Sequence, residues 1–279
     1  MEPDRREGKG KWIALVVVGI IVLVLGGYYL FSGKPAKEPL PVAEPPKSET
    51  PAPAPKPSPE PAKEPLPAVR PSLADSDDWV RKKSGELSAE PGWAQWLANK
   101  NLIRRLTAAV VNISEGKSPR KHLGFLGPQK PFSAVKKEGR LYLDPQTYDR
   151  YNLIAEIFSR LDAVKTVGLF KELYPLFQDA YRELGYPQGE FQAVLVHAIK
   201  ELLLTPVVEG DIHLKEAVLS YWMADDTLED LSEAQKHLVR MGPQNTRKVQ
   251  KKLREVALLL GTSETQLPKS KVVKAKNTD

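Results

Sequence analysis

Four histidines are the only side chains of this 279-residue sequence that ordinarily titrate near neutral pH, and there is no cysteine. The missing thiol excludes a cysteine nucleophile, a thiolate metal centre and a disulfide framework. His197 and Glu201 stand four apart, a spacing that would let both reach one metal ion from a single helix face. No second histidine joins them, since His122, His213 and His237 are scattered, and the pair reads as an ordinary helix-surface pair. Asp225, Asp226, Glu229 and Asp230 form an acidic cluster that lacks the spacing and the glycine of a calcium loop; they are expected to complement a helix N-terminus. Gly116-Lys117-Ser118 looks like the end of a phosphate-binding loop, but Val111 stands where its first glycine belongs and a helical pattern precedes it. HExxH, GxSxG and GxGxxG are all absent. No catalytic residue, metal site or cofactor is expected, and the chain reads as a non-enzyme.

The most distinctive stretch is Arg240-Met241-Gly242-Pro243-Gln244-Asn245-Thr246-Arg247-Lys248-Val249-Gln250. At 100° per residue, Thr246, Val249, Leu253, Val256, Ala257 and Leu260 fall in one stripe of a helix beginning at Pro243. Opposite them lie Arg247, Lys251 and Arg254, with Lys248 and Lys252 beside these. The free N–H groups of Gln244 and Asn245 at the helix start, with Arg240 and Arg247 nearby, suit a carboxylate or phosphate. Arg240, Gln244, Asn245, Arg247, Lys248, Lys251, Lys252 and Arg254 are therefore the candidate anion- or partner-binding residues. The plainer reading is a helix stop at Gly242, a start at Pro243 and a solvated basic face.

The elements that would position these residues occupy 72–262, predicted to be a compact, mainly α domain with a small β-hairpin element. A first helix starts near Asp75–Asp78. Trp93, Trp96, Leu97, Ile103, Leu106, Val110 and Ile113 recur at helical spacing, and Asp144-Pro145 reads as a cap followed by the first helical residue. The run from Phe170 to Leu184 contains Pro175, which predicts a kink or two short helices. Phe191 to Leu202 is another apolar face, Ser232–Gln235 reads as a capping box, and the last helix runs from Pro243 to about Leu260. Phe132–Val135 and Arg140–Leu143 flank a four-residue loop, 136–139, as a hairpin; Val218–Met223 reads as a further extended piece. Residues 263–279 read as a flexible basic tail.

Trp12 to Phe31 is twenty residues without a charge, about 30 Å as a helix, which matches the hydrocarbon core of a bilayer. It exceeds the apolar region of a cleaved signal peptide and has no clear cleavage site, so a retained single transmembrane helix is expected. Arg5, Arg6, Lys9 and Lys11 precede it, against Lys34 and Lys37 after it, which places residues 1–11 in the cytoplasm and exports the rest. Residues 32–71 form a linker, with 14 prolines between 34 and 71; extended, such a spacer reaches on the order of 120 Å. The net charge of +6 is spread thinly: residues 72–261 hold 27 basic and 25 acidic residues. Nucleic acid, which calls for a concentrated basic module, is therefore not expected as a partner.

Several stretches together resemble one family: Ser76–Arg81, Trp93 through Leu97, Leu102–Arg105, Ser118–Leu123, Tyr142–Pro145, Ala180–Pro187 and Arg240–Asn245. It is an uncharacterised bacterial family of membrane-anchored proteins, known as a domain of unknown function. The resemblance implies a Gram-negative inner-membrane protein with its main domain in the periplasm, and brings no activity, cofactor or catalytic residue. The expected function is that of a single-pass envelope protein whose exported domain binds a protein or cell-wall partner. The alternative is an envelope hydrolase acting on cell-wall material through carboxylates or a histidine. Deleting residues 12–31 should move the protein from the alkali-resistant membrane pellet to the soluble fraction; retention in the pellet would contradict the anchor.

Overall fold

A computed structural model describes residues 70–276, apart from Gln129, Val218 and Leu219. The expected transmembrane segment at 12–31 and the linker up to 69 lie outside the described residues. Among the described residues no helix is long and apolar enough to cross a membrane. The fold is mainly helical, with ten α-helices and a small antiparallel sheet among the described residues.

Helix α1 (Ser76–Ser84) begins where the acidic run predicts, but the carboxylate of Asp77 serves a different helix. Asp75 makes no capping bond to α1; it accepts from the Ser72 hydroxyl at 2.6 Å. Asp77 instead accepts the backbone N–H groups of Asn101 at 2.7 Å and Leu102 at 2.9 Å. These are orphan donors at the start of α3 (Leu102–Ser114). From the next turn, Arg81 donates to the carbonyls of Leu97 and Asn99, at and just past the end of α2 (Pro91–Leu97). One turn of α1 thus holds both sides of the α2–α3 junction. The junction turns through Asn101 at φ +56°, so the apolar run from Trp93 to Ile113 is two helices. Its buried face is Leu102, Ile103, Thr107, Ala108, Ala109 and Val111, and Leu106 faces solvent.

After α4 (Arg120–Leu123), the chain forms the hairpin of β1 (Ala134–Lys137) and β2 (Arg140–Leu143). Lys137 pairs with Arg140 across a two-residue turn, tighter than the four-residue loop read from the sequence. Glu138 at φ +49° and Gly139 at φ +80° have the two positive φ angles of a type I′ turn, whose twist matches that of paired strands. Asp144 accepts from Gln146 N–H at 2.9 Å and opens a 3₁₀ turn, Pro145–Tyr151, that leads into α5 (Asn152–Arg160). Helix α6 (Ala163–Glu183) runs unbroken through Pro175 instead of dividing into two helices. Pro175 and Lys171, whose carbonyl loses its partner, are both exposed, so water can replace the missing bond. Helix α7 (Phe191–Leu203) follows.

Strands β3 (Val207–Glu209), β4 (His213–Glu216) and β5 (Tyr221–Met223) lead to the short helices α8 (Asp226–Glu229) and α9 (Glu233–Val239). The capping box at α9 is formed as predicted, with Ser232 and Gln235 exchanging backbone-to-side-chain bonds. Helix α10 (Pro243–Leu259) has the expected bounds. The sheet order is β1-β2-β4-β5, all antiparallel. The stretch read as a flexible tail is structured over part of its length. Leu267 is buried, and β6 (Val272–Lys274) pairs in parallel with β3, because Val207 and Val208 are buried strand residues whose polar backbone needs a partner.

The buried side chains form three clusters. One joins Val80, Ile103, Leu176, Phe177 and Phe191. A second lies under the sheet around Leu143, Leu214, Met223 and Val239. The third packs α10 on α6 and α7 through Val167, Ile199, Leu203, Leu253 and Ala257. Replacing Asp77 with Ala should cost about 1–2 kcal/mol, as for a lost helix cap, and lower Tm by about 2–8 °C. A thermal melt that does not move would show that the junction stands without its carboxylate.

Candidate functional site

The Arg240–Gln250 stretch divides into an internal knot and an outer row of charges. Gly242 sits at φ +84° and ψ 162°, a backbone region open essentially to glycine. The ring of Tyr148 packs against it, so that an added Cβ would lie 2.5 Å from the ring. Burial, and secondarily the charge of Asp211, pushes the Tyr148 phenol up to about 12. Asn245 is buried, and its amide nitrogen donates to Tyr148 O, Asn152 Oδ1 and Met241 O at 3.3, 2.9 and 3.0 Å. The Thr246 hydroxyl lies 2.9 Å from Leu238 O and 2.8 Å from Gly242 O. Asn245 therefore ties the start of α10 to the 3₁₀ turn and α5. Gln244 is exposed beside it.

Arg247, Lys248 and Lys251 of α10 are exposed as expected, Arg254 is half-buried and the Lys252 side chain is only 11% exposed, and most of the five are already paired. Arg247 pairs with Glu209 of β3, Lys248 with Glu156 of α5 at 2.8 Å and Lys252 with Glu255 at 2.6 Å. Arg254 pairs with Glu264 at 2.5 Å and also donates to Pro268 O. Glu156 is shared with Arg160 at 2.7 Å; the Lys248 hydrogen bond first, then the Arg160 charge, holds its carboxyl below the usual range. Among the described residues, Lys251 and Arg240 have no ion pair. The predicted basic face is thus mostly a row of neutralised pairs.

The other residues with chemical potential are also engaged. Glu201 accepts the Ser232 hydroxyl at 2.6 Å, which joins α7 to the start of α9, while His197 is exposed. Asp225 caps α8 by accepting the backbone N–H and hydroxyl of Thr227 at 3.0 and 2.7 Å. Glu229 accepts Met223 N–H and pairs with Lys236 at 3.0 Å; Glu233 pairs with the same lysine at 2.9 Å. Burial opposes the charge on Lys236, but the hydrogen bonds to Glu233 and Glu229 outweigh it and leave the ammonium pKa raised. Among the described residues no group of three or more His, Asp or Glu is placed to hold a metal ion.

Two features were not read from the sequence. The first is the outer face of the sheet. Leu143, Leu214 and Met223 point to the core, so the alternate positions Val135, Tyr142, His213, Lys215 and Trp222 share the opposite face. The Tyr142 and His213 rings lie 5.3 Å apart, Lys215 stands across from Trp222, and Trp222 is 58% exposed on edge strand β5. The second is a contact between Ser118 and His237, whose Oγ and Nε2 are 2.6 Å apart. The alternation in Tyr221-Trp222-Met223 carried a signal for the first; the second joins residues 119 apart, with no local spacing to find.

This is a mainly α domain bearing a small antiparallel sheet, with no assembled metal centre among the described residues. The family profile described as "Protein of unknown function (DUF3014)" matches residues 102–257, more than half of the chain, and the protein belongs to that family. No curated protein and no solved structure matches it. Gly242→Ala should destabilise the domain by roughly 2–5 kcal/mol through backbone strain and overlap with Tyr148. Urea unfolding measures this; an unchanged midpoint would mean that the Gly-Pro joint tolerates a side chain.

Proposed function

We propose that this is a single-pass protein of the bacterial inner membrane, with a cytoplasmic N-terminus, whose exported helical domain binds another envelope protein or the cell-wall polymer without catalysing a reaction. The sequence supports this reading through the uncharged Trp12–Phe31 segment and the Pro-rich spacer that follows. The observation that carries the binding role is Trp222, 58% exposed on the outer face of edge strand β5. Large aromatic side chains dominate binding energies when a partner buries them, and an edge strand also offers backbone groups for pairing. The α10 basic face supports the role less, since an acidic partner would have to displace Glu209, Glu156 or Glu264 to reach most of its cations.

In-cell cross-linking of the full-length protein tests the reading. A discrete adduct should form with wild type, persist in Arg247→Glu/Lys251→Glu, and fall by more than about tenfold in Trp222→Ala, with the far-ultraviolet circular dichroism unchanged. An adduct retained in the aromatic variant would overturn the chosen surface. Release of soluble products from cell-wall material by the purified full-length protein would replace binding with hydrolysis.

A further inference from the structure

Two stretches far apart in sequence, Ser118–Arg120 and His237–Arg240, meet at the hydrogen bond between Ser118 Oγ and His237 Nε2. Each brings an arginine: Arg120 opens α4 two residues after Ser118, and Arg240 lies three residues after His237 at the end of α9. The described residues include twelve arginines. Arg120 and Arg240 are the two whose guanidinium groups have no hydrogen bond, ion pair or ring contact among those residues. Both act on one imidazole: burial first, then the charge of Arg240, pushes the His237 pKa down, with Glu233 opposing and Arg120 adding to the depression.

Acids near these stretches are held first by lysines: Arg240 acts on Glu233 only through charge, after the Lys236 hydrogen bond. Glu115 accepts Lys117 at 2.6 Å and the Tyr186 hydroxyl at 2.9 Å. Glu233 and Glu229 both hold the Lys236 ammonium. Elsewhere this domain pairs its arginines, as in Arg104–Glu183, Arg160–Glu90 and Arg254–Glu264. Two guanidinium groups without a hydrogen bond or ion pair, beside a half-buried imidazole–hydroxyl pair, offer planar donor forks to one ligand.

We propose that Ser118, Arg120, His237 and Arg240 form a binding site for a small anionic group, a phosphate or a carboxylate, carried by a ligand outside this chain. The site is independent of the Trp222 surface. The two arginines supply charge-assisted hydrogen bonds, and Ser118 with His237 supplies the polar floor. Phosphate and carboxylate share this chemistry, and the number of acceptor oxygens separates them: three on a phosphate can engage both guanidinium forks at once, two on a carboxylate engage one.

The test is a titration of the full-length protein, labelled at its histidine rings, with inorganic phosphate and with acetate, against sodium chloride at equal ionic strength. His237 ring resonances should shift saturably with phosphate or acetate and not with chloride; the tighter of the two assigns the group. Arg120→Gln/Arg240→Gln should weaken that binding by about tenfold or more, the equivalent of one charge-assisted bond, while Lys251→Gln leaves it unchanged. Arg120→Lys/Arg240→Lys, which keeps the charge and the fold, should recover only part of the affinity. Equal shifts with chloride, no saturable shift with either anion, or undiminished binding in the glutamine variant would overturn the site.

Discussion

Helix α7 ends inside the protein, and the carbonyl groups of its last turn need partners that water cannot supply. Leu203, Thr205 and Val207 are almost fully buried where the helix gives way to β3. The amide nitrogen of Gln250 answers this need, donating to Leu202 O at 3.1 Å and Thr205 O at 2.8 Å. A buried acceptor left without a donor costs about 1–3 kcal/mol. Gln250 must therefore face α7, which sets the rotation of α10 about its axis. With that fixed, Leu253 and Ala257 enter the core, Thr246 and Asn245 lock the first turn, and Arg247, Lys248 and Lys251 point outward.

Cations of α10 meet acids supplied by separate elements: Glu156 from α5, Glu209 from β3 and Glu264 from the turn after α10. Exposed pairs of this kind contribute little stability, about 0–1 kcal/mol each. Their effect here is on the electrostatic character of the surface, because a strongly basic helix is presented as alternating charge. Lys236 is a different case. It is enclosed by Glu229 and Glu233 with a side chain only 11% exposed, so removing either acid would leave a charge poorly solvated.

Local chemistry was legible in the sequence and distant chemistry was not. The Ser232 capping box, the Asp144-Pro145 entry and the Pro243 start each consist of residues that solve a backbone problem within one turn, and each stands as read. Of the two outcomes that Pro175 suggested, a division into two helices does not occur, because the cost of an internal proline depends on whether its side of the helix meets solvent, which periodicity within one segment does not reveal. Asp77 belonged to the right region but caps α3, reached across 25 residues. The basic stripe of α10 was correctly placed, whereas its neutralisation depends on Glu156, Glu209 and Glu264. The Ser118–His237 contact depends on how α4 and α9 converge, and no motif search along the chain could bring those two residues together.

The parallel pairing of β3 with β6 places Val207 beside Val272 and Glu209 beside Lys274. A chain grows from its N-terminus, so β3 emerges long before its mate and waits with unpaired backbone while α10 is still being made. The domain can finish folding only after the ribosome has passed Lys274.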